Sequence, residues 1–187
     1  IEAIRKMNFV VSFRNTAFIA VGTVMLNTLV SSMAAYVLCR KSFKYRNGFS
    51  FFLYFTTLFN GGMVSTYVFF IRYLNLKDSL WALILPLMVN VFYLLIMRSF
   101  MSAIPETIYE SCKIDGAGEF RIYFQFALPL VKSGLATVTL FIALDYWNDW
   151  YNAMLYISSR NKFPLQYMLY DMLASTEALS KLASSAN

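Results

Sequence analysis

Three stretches of this chain carry no charged side chain: residues 16–38, 47–71 and 79–97. Each is near the roughly 20 residues a helix needs to cross about 30 Å of hydrocarbon. A fourth stretch, residues 133–159, is long enough but contains Asp145 and Asp149. Composition supports the same constraint. Of 187 residues, 59% are hydrophobic and 14% charged, and the mean hydropathy is +0.54. A soluble domain of this size needs far more polar surface to cover its core. The expected fold is therefore all-α, a polytopic transmembrane helical bundle. Its spans are expected at about 15–39, 48–72, 79–99 and 132–157. Short loops imply antiparallel neighbours, so residues 1–187 read as a single transmembrane domain.

The net charge of +6 does not form a basic face for nucleic acid. Instead the cations cluster at span ends: Arg40, Lys41, Lys44 and Arg46 after the first, Arg72 and Lys77 after the second, Arg98 after the third. Such positions meet lipid headgroups and set topology. Histidine is missing from the sequence, and Cys39 and Cys112 are too far apart for a metal or redox motif. No metal site is expected, and zinc, haem and triad chemistry have little to work with.

Orientation is nearly undecided by charge. Alternating spans put Arg40, Lys41, Lys44, Arg46, Arg98, Lys113, Arg121 and Lys132 on one side and the other eight Lys and Arg opposite. Only the density of the 40–46 cluster, and the distance of Lys181 from any span, tilt the first set towards the cytoplasm. The chain opens at Ile1 without a signal-peptide pattern, and the expectation is a piece of a longer chain. After the fourth span, Leu165, Met168, Leu169, Met172 and Leu173 follow a helical stripe behind Pro164. Residues 163–183 thus read as an amphipathic segment too polar to span, either interfacial or packed on a subunit.

Residues 104–129 differ in character from the spans on either side. Pro105 suits a helix start, and Glu106 in the first turn complements the helix dipole. Ile104, Ile108 and Cys112 recur at i, i+4 and i+8, which predicts a short amphipathic helix over 105–115. The Gly116-Ala117-Gly118 run ends it, with a positive φ expected at one glycine. A second short helix over 119–126 then leads through Leu128-Pro129 to the fourth span. Such an elbow is either a re-entrant or interfacial connector, or a mechanical link passing a partner's motion to the two spans it joins.

Inside the spans, Asn60-Gly61-Gly62 loosens the second, as a pathway-lining interruption or as close packing through small residues. Pro86 should kink the third. Asp145 and Asp149, four apart, stand among Tyr146, Trp147, Trp150 and Tyr151. Carboxylates at that depth are costly and often functional. With Trp147, Asn148, Gly61 and Gly62 they are the candidates for a substrate pathway. An aromatic belt or simple helix packing would also place them there.

The elbow resembles the cytoplasmic loop shared by permease subunits of binding-protein-dependent ABC importers. That motif runs Glu-Ala-Ala, three residues, Gly, nine residues, Ile, one residue, Leu-Pro. Here Glu110-Ser111-Cys112, Gly116, Phe126 and Leu128-Pro129 keep every spacing, with small-for-small and apolar-for-apolar replacements. The flanks are similar to the maltose-type carbohydrate branch, through Ile104-Pro105-Glu106, Lys113-Ile114-Asp115-Gly116-Ala117 and Trp147-Asn148-Asp149. Asn60-Gly61-Gly62 and Leu80-Trp81-Ala82-Leu83-Ile84-Leu85-Pro86 look like its oligosaccharide and polysaccharide transporters.

The resemblance implies the ABC importer permease fold in a bacterial inner membrane, with one further span expected beyond each end of this chain. It implies a subunit that forms a pathway for a sugar or oligosaccharide and performs no bond chemistry. The implied partners are a second permease subunit, two cytoplasmic ATP-binding subunits and an extracytoplasmic sugar-binding protein, within membrane lipid and without nucleic acid. This chain lacks a phosphate-cradling Gly-x-x-x-x-Gly-Lys-Ser/Thr loop, so ATP and Mg belong to the partner and no cofactor is expected here. The implied ATPase-coupling residues are Glu110, Ser111, Cys112, Asp115, Gly116, Ala117, Leu128 and Pro129. Without the resemblance, an ion-coupled secondary transporter working through Asp145 and Asp149 is the competing reading.

Overall fold

The computed structural model describes residues 9–59, 61–86 and 88–185. Among these the regular elements are all helical. The first, α1 (Phe9–Cys39), is free of proline and runs 31 residues, about 46 Å of helix. Among the described residues it alone is long and apolar enough by itself to cross a membrane. Two further pairs pass the same test only when taken together, and both are sharply bent. They are α5 (Val91–Ser102) with α6 (Glu106–Ile114), at 73°, and α7 (Glu119–Leu130) with α8 (Lys132–Trp147), at 82°.

The second and third apolar stretches are interrupted where the sequence places its breakers, and the fourth, expected to be continuous over 132–157, is interrupted without one. The second divides into α2 (Arg46–Leu58) and α3 (Gly62–Val68), and α3 widens into a π turn over Phe69–Tyr73. Gly62 takes φ +80, and a Cβ there would meet nothing within 4 Å. Backbone conformation, not close packing, is what requires glycine at this position. The third stretch keeps only the single turn α4 (Trp81–Ile84) before α5. Pro86 does not kink a continuous helix as expected; it lies between two. Asn90 restarts the chain as an N-cap, its side-chain oxygen accepting from the Phe92 N–H at 2.9 Å. The fourth stretch breaks after Trp147 and resumes as α9 (Tyr151–Tyr156). Beyond it α10 (Leu165–Ser185) occupies the expected amphipathic segment, with Met168 buried and Leu173 exposed.

The chain divides into two compact units. The first comprises residues 1–23, 62–86 and 144–187. Its buried apolar residues include Ile19, Leu83, Ile84, Tyr146, Ala153, Tyr156 and Met168. A polar clasp joins two of its loops. The Asp78 carboxylate accepts from the Ser158 and Ser159 N–H groups at 3.0 and 2.9 Å, the Ser159 hydroxyl at 2.6 Å and Lys162 Nζ at 2.9 Å. The Asp78 N–H in turn donates to the Tyr156 carbonyl at 2.9 Å. Thr16 ties the start of α10 to α1 by accepting the Leu165 N–H at 2.7 Å.

The second unit comprises residues 24–61 and 87–143. Leu94, Met97, Met101, Ile122, Ala127, Val138 and Ile142 form its core, each essentially inaccessible. The stretch of α1 in this unit buries polar side chains as well, Asn27, Ser31 and Ser32. Ser31 donates to Asn27 at 2.9 Å, and Ser32 shares a hydrogen with the Tyr123 hydroxyl at 2.6 Å. Inside a membrane bundle such groups gain more from each other than from lipid. Gly134 admits the Phe100 ring, which lies 2.3 Å from where a Cβ would stand.

Candidate functional site: the elbow between α5 and α8

The turn from α5 into the elbow is made at Ser102–Pro105. Pro105, at φ −59 and ψ 136, is the extended residue from which α6 starts, and Glu106 opens the helix. The helix ends as the sequence requires. Gly116 takes φ +76, its N–H bonds the Lys113 carbonyl at 3.0 Å, and the Ala117 N–H bonds the Cys112 carbonyl at 2.9 Å. That pair of bonds is a Schellman cap, which satisfies carbonyls the helix would otherwise leave open. A Cβ on Gly116 would meet nothing within 4 Å, so the chain itself leaves that surface free.

The two faces of α6 are sharply different. Tyr109 and Cys112 are 2% and 5% exposed and pack inward. Glu110, Ser111, Asp115 and Gly116 are exposed, and Ile114 is 86% exposed. Phe120, at 71%, adds a second bare apolar group a few residues on. Of the coupling residues expected from the sequence, Glu110, Ser111, Asp115 and Gly116 thus share the open surface, with Ala117 half-buried beside them. Cys112 does not join them, because it is the inward anchor of the same helix. Leu128 and Pro129 lie in the last turn of α7, behind a π turn over Tyr123–Ala127. Proline cannot supply the N–H of a regular α-turn there. Ile114 and Phe120 were readable as apolar residues off the buried stripe, yet the motif had not marked them.

An aromatic and charged cluster holds the elbow to the end of α1, with little sign of it in the sequence. Arg40, only 5% exposed, lies 4.0 Å from the centroid of the Tyr109 ring and 5.8 Å from that of Tyr36. Its guanidinium comes within 3.3 Å of the Glu106 carboxylate. The Tyr36 hydroxyl donates to Glu119 at 2.6 Å, and Lys113 pairs with the other Glu119 oxygen at 2.8 Å. Hydrogen bonds from Lys113 and then Tyr36 hold the Glu119 carboxyl below the usual glutamate range. Burial pushes the Tyr109 hydroxyl well above the ordinary phenol value. α7 is therefore fastened to α1 by Tyr36, and α6 to the residue directly after α1 by Arg40. The only sequence signal was a cation directly after an apolar run, which normally denotes a headgroup contact.

The pathway candidates are placed differently. Asp145 is exposed near the end of α8, and Trp147 is its last residue, with its ring 5.9 Å from Phe13. The helix stops there, so Asp149 does not continue the Asp145 face as an i+4 neighbour. It accepts from the Asn152 N–H at 3.1 Å and from the Asn152 amide at 2.9 Å, anchoring the start of α9. Asn148 turns back to the Leu144 carbonyl at 2.8 Å. Gly61 and Gly62 are exposed, and the Tyr151 hydroxyl donates to the sulfur of Met63. The starts of α3 and α9 thus approach each other. Among the described residues no group of His, Cys, Asp or Glu could hold a metal ion.

Apolar helices joined through a bent, amphipathic and outwardly bare elbow define a multi-pass membrane protein. The chain belongs to the family described as "Binding-protein-dependent transport system inner membrane component", which it matches over residues 27–157. It is 40% identical over 154 residues to the polygalacturonan/rhamnogalacturonan transport system permease protein YtcP of Bacillus subtilis (strain 168), covering 82% of this chain and 54% of that one. It is 30% identical over 164 residues to the arabinooligosaccharides transport system permease protein AraQ of Halalkalibacterium halodurans, covering 86% and 58%. A solved structure of a bacterial ABC transporter involved in import of the acidic polysaccharide alginate aligns with a TM-score of 0.83 at 31% identity, over 87% of this chain and 58% of that one. The chain spans about half the length of the curated relatives it matches.

Proposed function

We propose that this chain is the transmembrane subunit of an ATP-driven importer, forming part of the pathway for a sugar or oligosaccharide. Coupling runs through residues 104–129, with Glu110, Ser111, Asp115, Gly116 and Ala117 meeting a cytoplasmic ATPase subunit. Cys112, Leu128 and Pro129 set the shape of that surface from behind. The observation that carries the reading is α6 itself: inward through Tyr109 and Cys112, bare through Ile114, and bent by 73° from the helix before it. ATP and Mg are left to the partner subunit. A second permease subunit and an extracytoplasmic sugar-binding protein complete the assembly. On this reading the elbow is cytoplasmic, and Asp145, Trp147, Asn148, Asp149, Gly61 and Gly62 lie towards the cargo.

Two similar proteins carry names that point to acidic polysaccharides. Uronate oligosaccharides are therefore the first cargo to test, ahead of neutral ones. The complete permease is purified from its host membrane and probed for an accompanying ATPase. It is then reconstituted with its partners to follow uptake of labelled galacturonate oligomers. Co-purification and strictly ATP-dependent uptake are expected. Uptake that survives ATP depletion, with no ATPase recovered, would overturn the proposal.

A further inference from the structure

We propose that a basic cavity beside the elbow holds the phosphate of an anionic phospholipid headgroup. The cavity has a volume of about 440 Å³ and lies within the second unit, at the end of α1, the start of α2 and the end of α5. Three cations line it, Lys41, Arg46 and Arg98, against one carboxylate, Glu106. That carboxylate is already matched by Arg40 at 3.3 Å. Among the described residues none of the three cations forms an ion pair with a carboxylate. Arg98 is held in place by donating to the Ser50 hydroxyl at 2.8 Å, so its charge is positioned without being neutralised.

Two features select a lipid as the source of the phosphate. The cavity opens where three apolar helices end, which is the depth of headgroups. Leu38 and Ile104 line it beside the cations, giving a glycerol backbone an apolar wall. Its volume suits a headgroup, since small-molecule sites span about 300–1,000 Å³. Basic pockets between membrane helices are a known way of holding acidic lipids. Nothing in this inference depends on the coupling role of α6.

The test is native mass spectrometry of the full-length permease in detergent, titrated with phosphatidylglycerol, phosphatidylcholine or inorganic phosphate. Native protein is compared with Lys41→Gln alone, with Lys41→Gln/Arg46→Gln, and with a charge-matched control, Arg121→Gln/Lys132→Gln. Lys41 is exposed, so its single variant folds even if the double does not. Retention of phosphatidylglycerol above phosphatidylcholine is expected, weakened roughly fivefold for each cation removed from the cavity and unchanged in the control. Equal retention of the two lipids, or equal retention by native and cavity variants, would overturn the proposal. So would inorganic phosphate binding as tightly as the lipid, which would make this a soluble-anion site. Loss of lipid whenever the ATPase subunit is bound would assign the cations to that protein instead. The coupling reading would stand or fall separately, by ATPase recovery.

Discussion

The guanidinium of Arg40 lies 4.0 Å from the Tyr109 ring centroid and 3.3 Å from the carboxylate of Glu106, one turn earlier on the same short helix. One buried cation therefore grips α6 by two different forces, a π face and an ion pair. These contacts tie the elbow to the end of α1. That is what a lever between a soluble motor and membrane helices needs. Removing the cation is the direct test. Arg40→Gln leaves Tyr109 unstacked and Glu106 uncompensated, and should cost about 2–4 kcal/mol, less than a fully buried pair because Glu106 remains 27% exposed. Arg40→Lys should recover only part of it, since an ammonium lacks the planar stacking surface. Thermal unfolding of the purified permease measures both. Equal stability of Arg40→Gln and native protein would show that the cluster is incidental.

A second expectation concerns Gly116. A side chain there must adopt φ +76, at a cost of about 1 kcal/mol, but it meets no atom of this chain. Gly116→Asn, which tolerates that conformation, should stay close to native stability, and Gly116→Asp should still reach the membrane. If a partner presses on this surface, the Asp variant loses ATP hydrolysis coupled to transport far beyond what its stability predicts. Normal transport by Gly116→Asp would remove the glycine from the interface.

The Asp78 clasp makes a prediction about pH. Bonds from the Ser159 hydroxyl and N–H, then Lys162, hold the Asp78 carboxyl well below the usual aspartate range. Its folded form therefore binds fewer protons than an unfolded one, whose pKa is about 3.9. The stability it contributes is fully present above that value and fades as pH falls further towards the folded pKa. Asp78→Asn keeps a residue suited to φ 54 but removes the charge. The variant should melt lower than native protein at pH 7, by about 1 kcal/mol given the exposure of the pair. The gap should narrow below about pH 4. An identical gap at pH 7 and pH 3.5 would show that the charge is not its source.

Sequence alone disclosed a good deal of this architecture, and for identifiable reasons. Uncharged runs reveal membrane helices because lipid forbids charge, and Gly116 declares a helix end because few residues accept its backbone. Both are local constraints. The breaks at Gly62 and Pro86 were legible as weak points and the one after Trp147 was not, because whether a membrane helix bends or stops depends on what re-satisfies its backbone. The Arg40 cluster was invisible because it joins residues more than sixty positions apart through their rings and tips. Cys112 stands on the apolar stripe that predicts α6 and is buried there, although the motif names it beside Glu110 and Ser111; a linear motif does not distinguish residues that touch a partner from those that support the ones that do.

Packing at Gly134 gives a purely structural prediction. The Phe100 ring carbon Cγ lies 2.3 Å from the position of an added Cβ, so Gly134→Ala must push the whole ring, not a flexible tip. Overpacking of this kind costs about 1–3 kcal/mol. Pairing it with Phe100→Leu should recover part of the loss, a coupling that a double-mutant cycle reads directly. Strict additivity of the two changes would mean that the ring and the glycine do not meet.

The opposed faces of α6 allow the coupling proposal to be separated from simple instability. Ile114 is 86% exposed and touches little within the chain, so Ile114→Asp should leave the melting temperature within the small range of surface changes, about 0.5 kcal/mol. Cys112 is 5% exposed, and Cys112→Asp buries an unpaired carboxylate, at a cost of several kcal/mol. The two variants place the same charge two residues apart on one helix. If α6 docks on an ATPase, Ile114→Asp yields a stable permease that no longer retains the subunit, while Cys112→Asp fails at assembly. Size-exclusion profiles with subunit quantification distinguish these outcomes. A stable Ile114→Asp permease with full ATPase retention would mean that the bare face of α6 is not the docking surface.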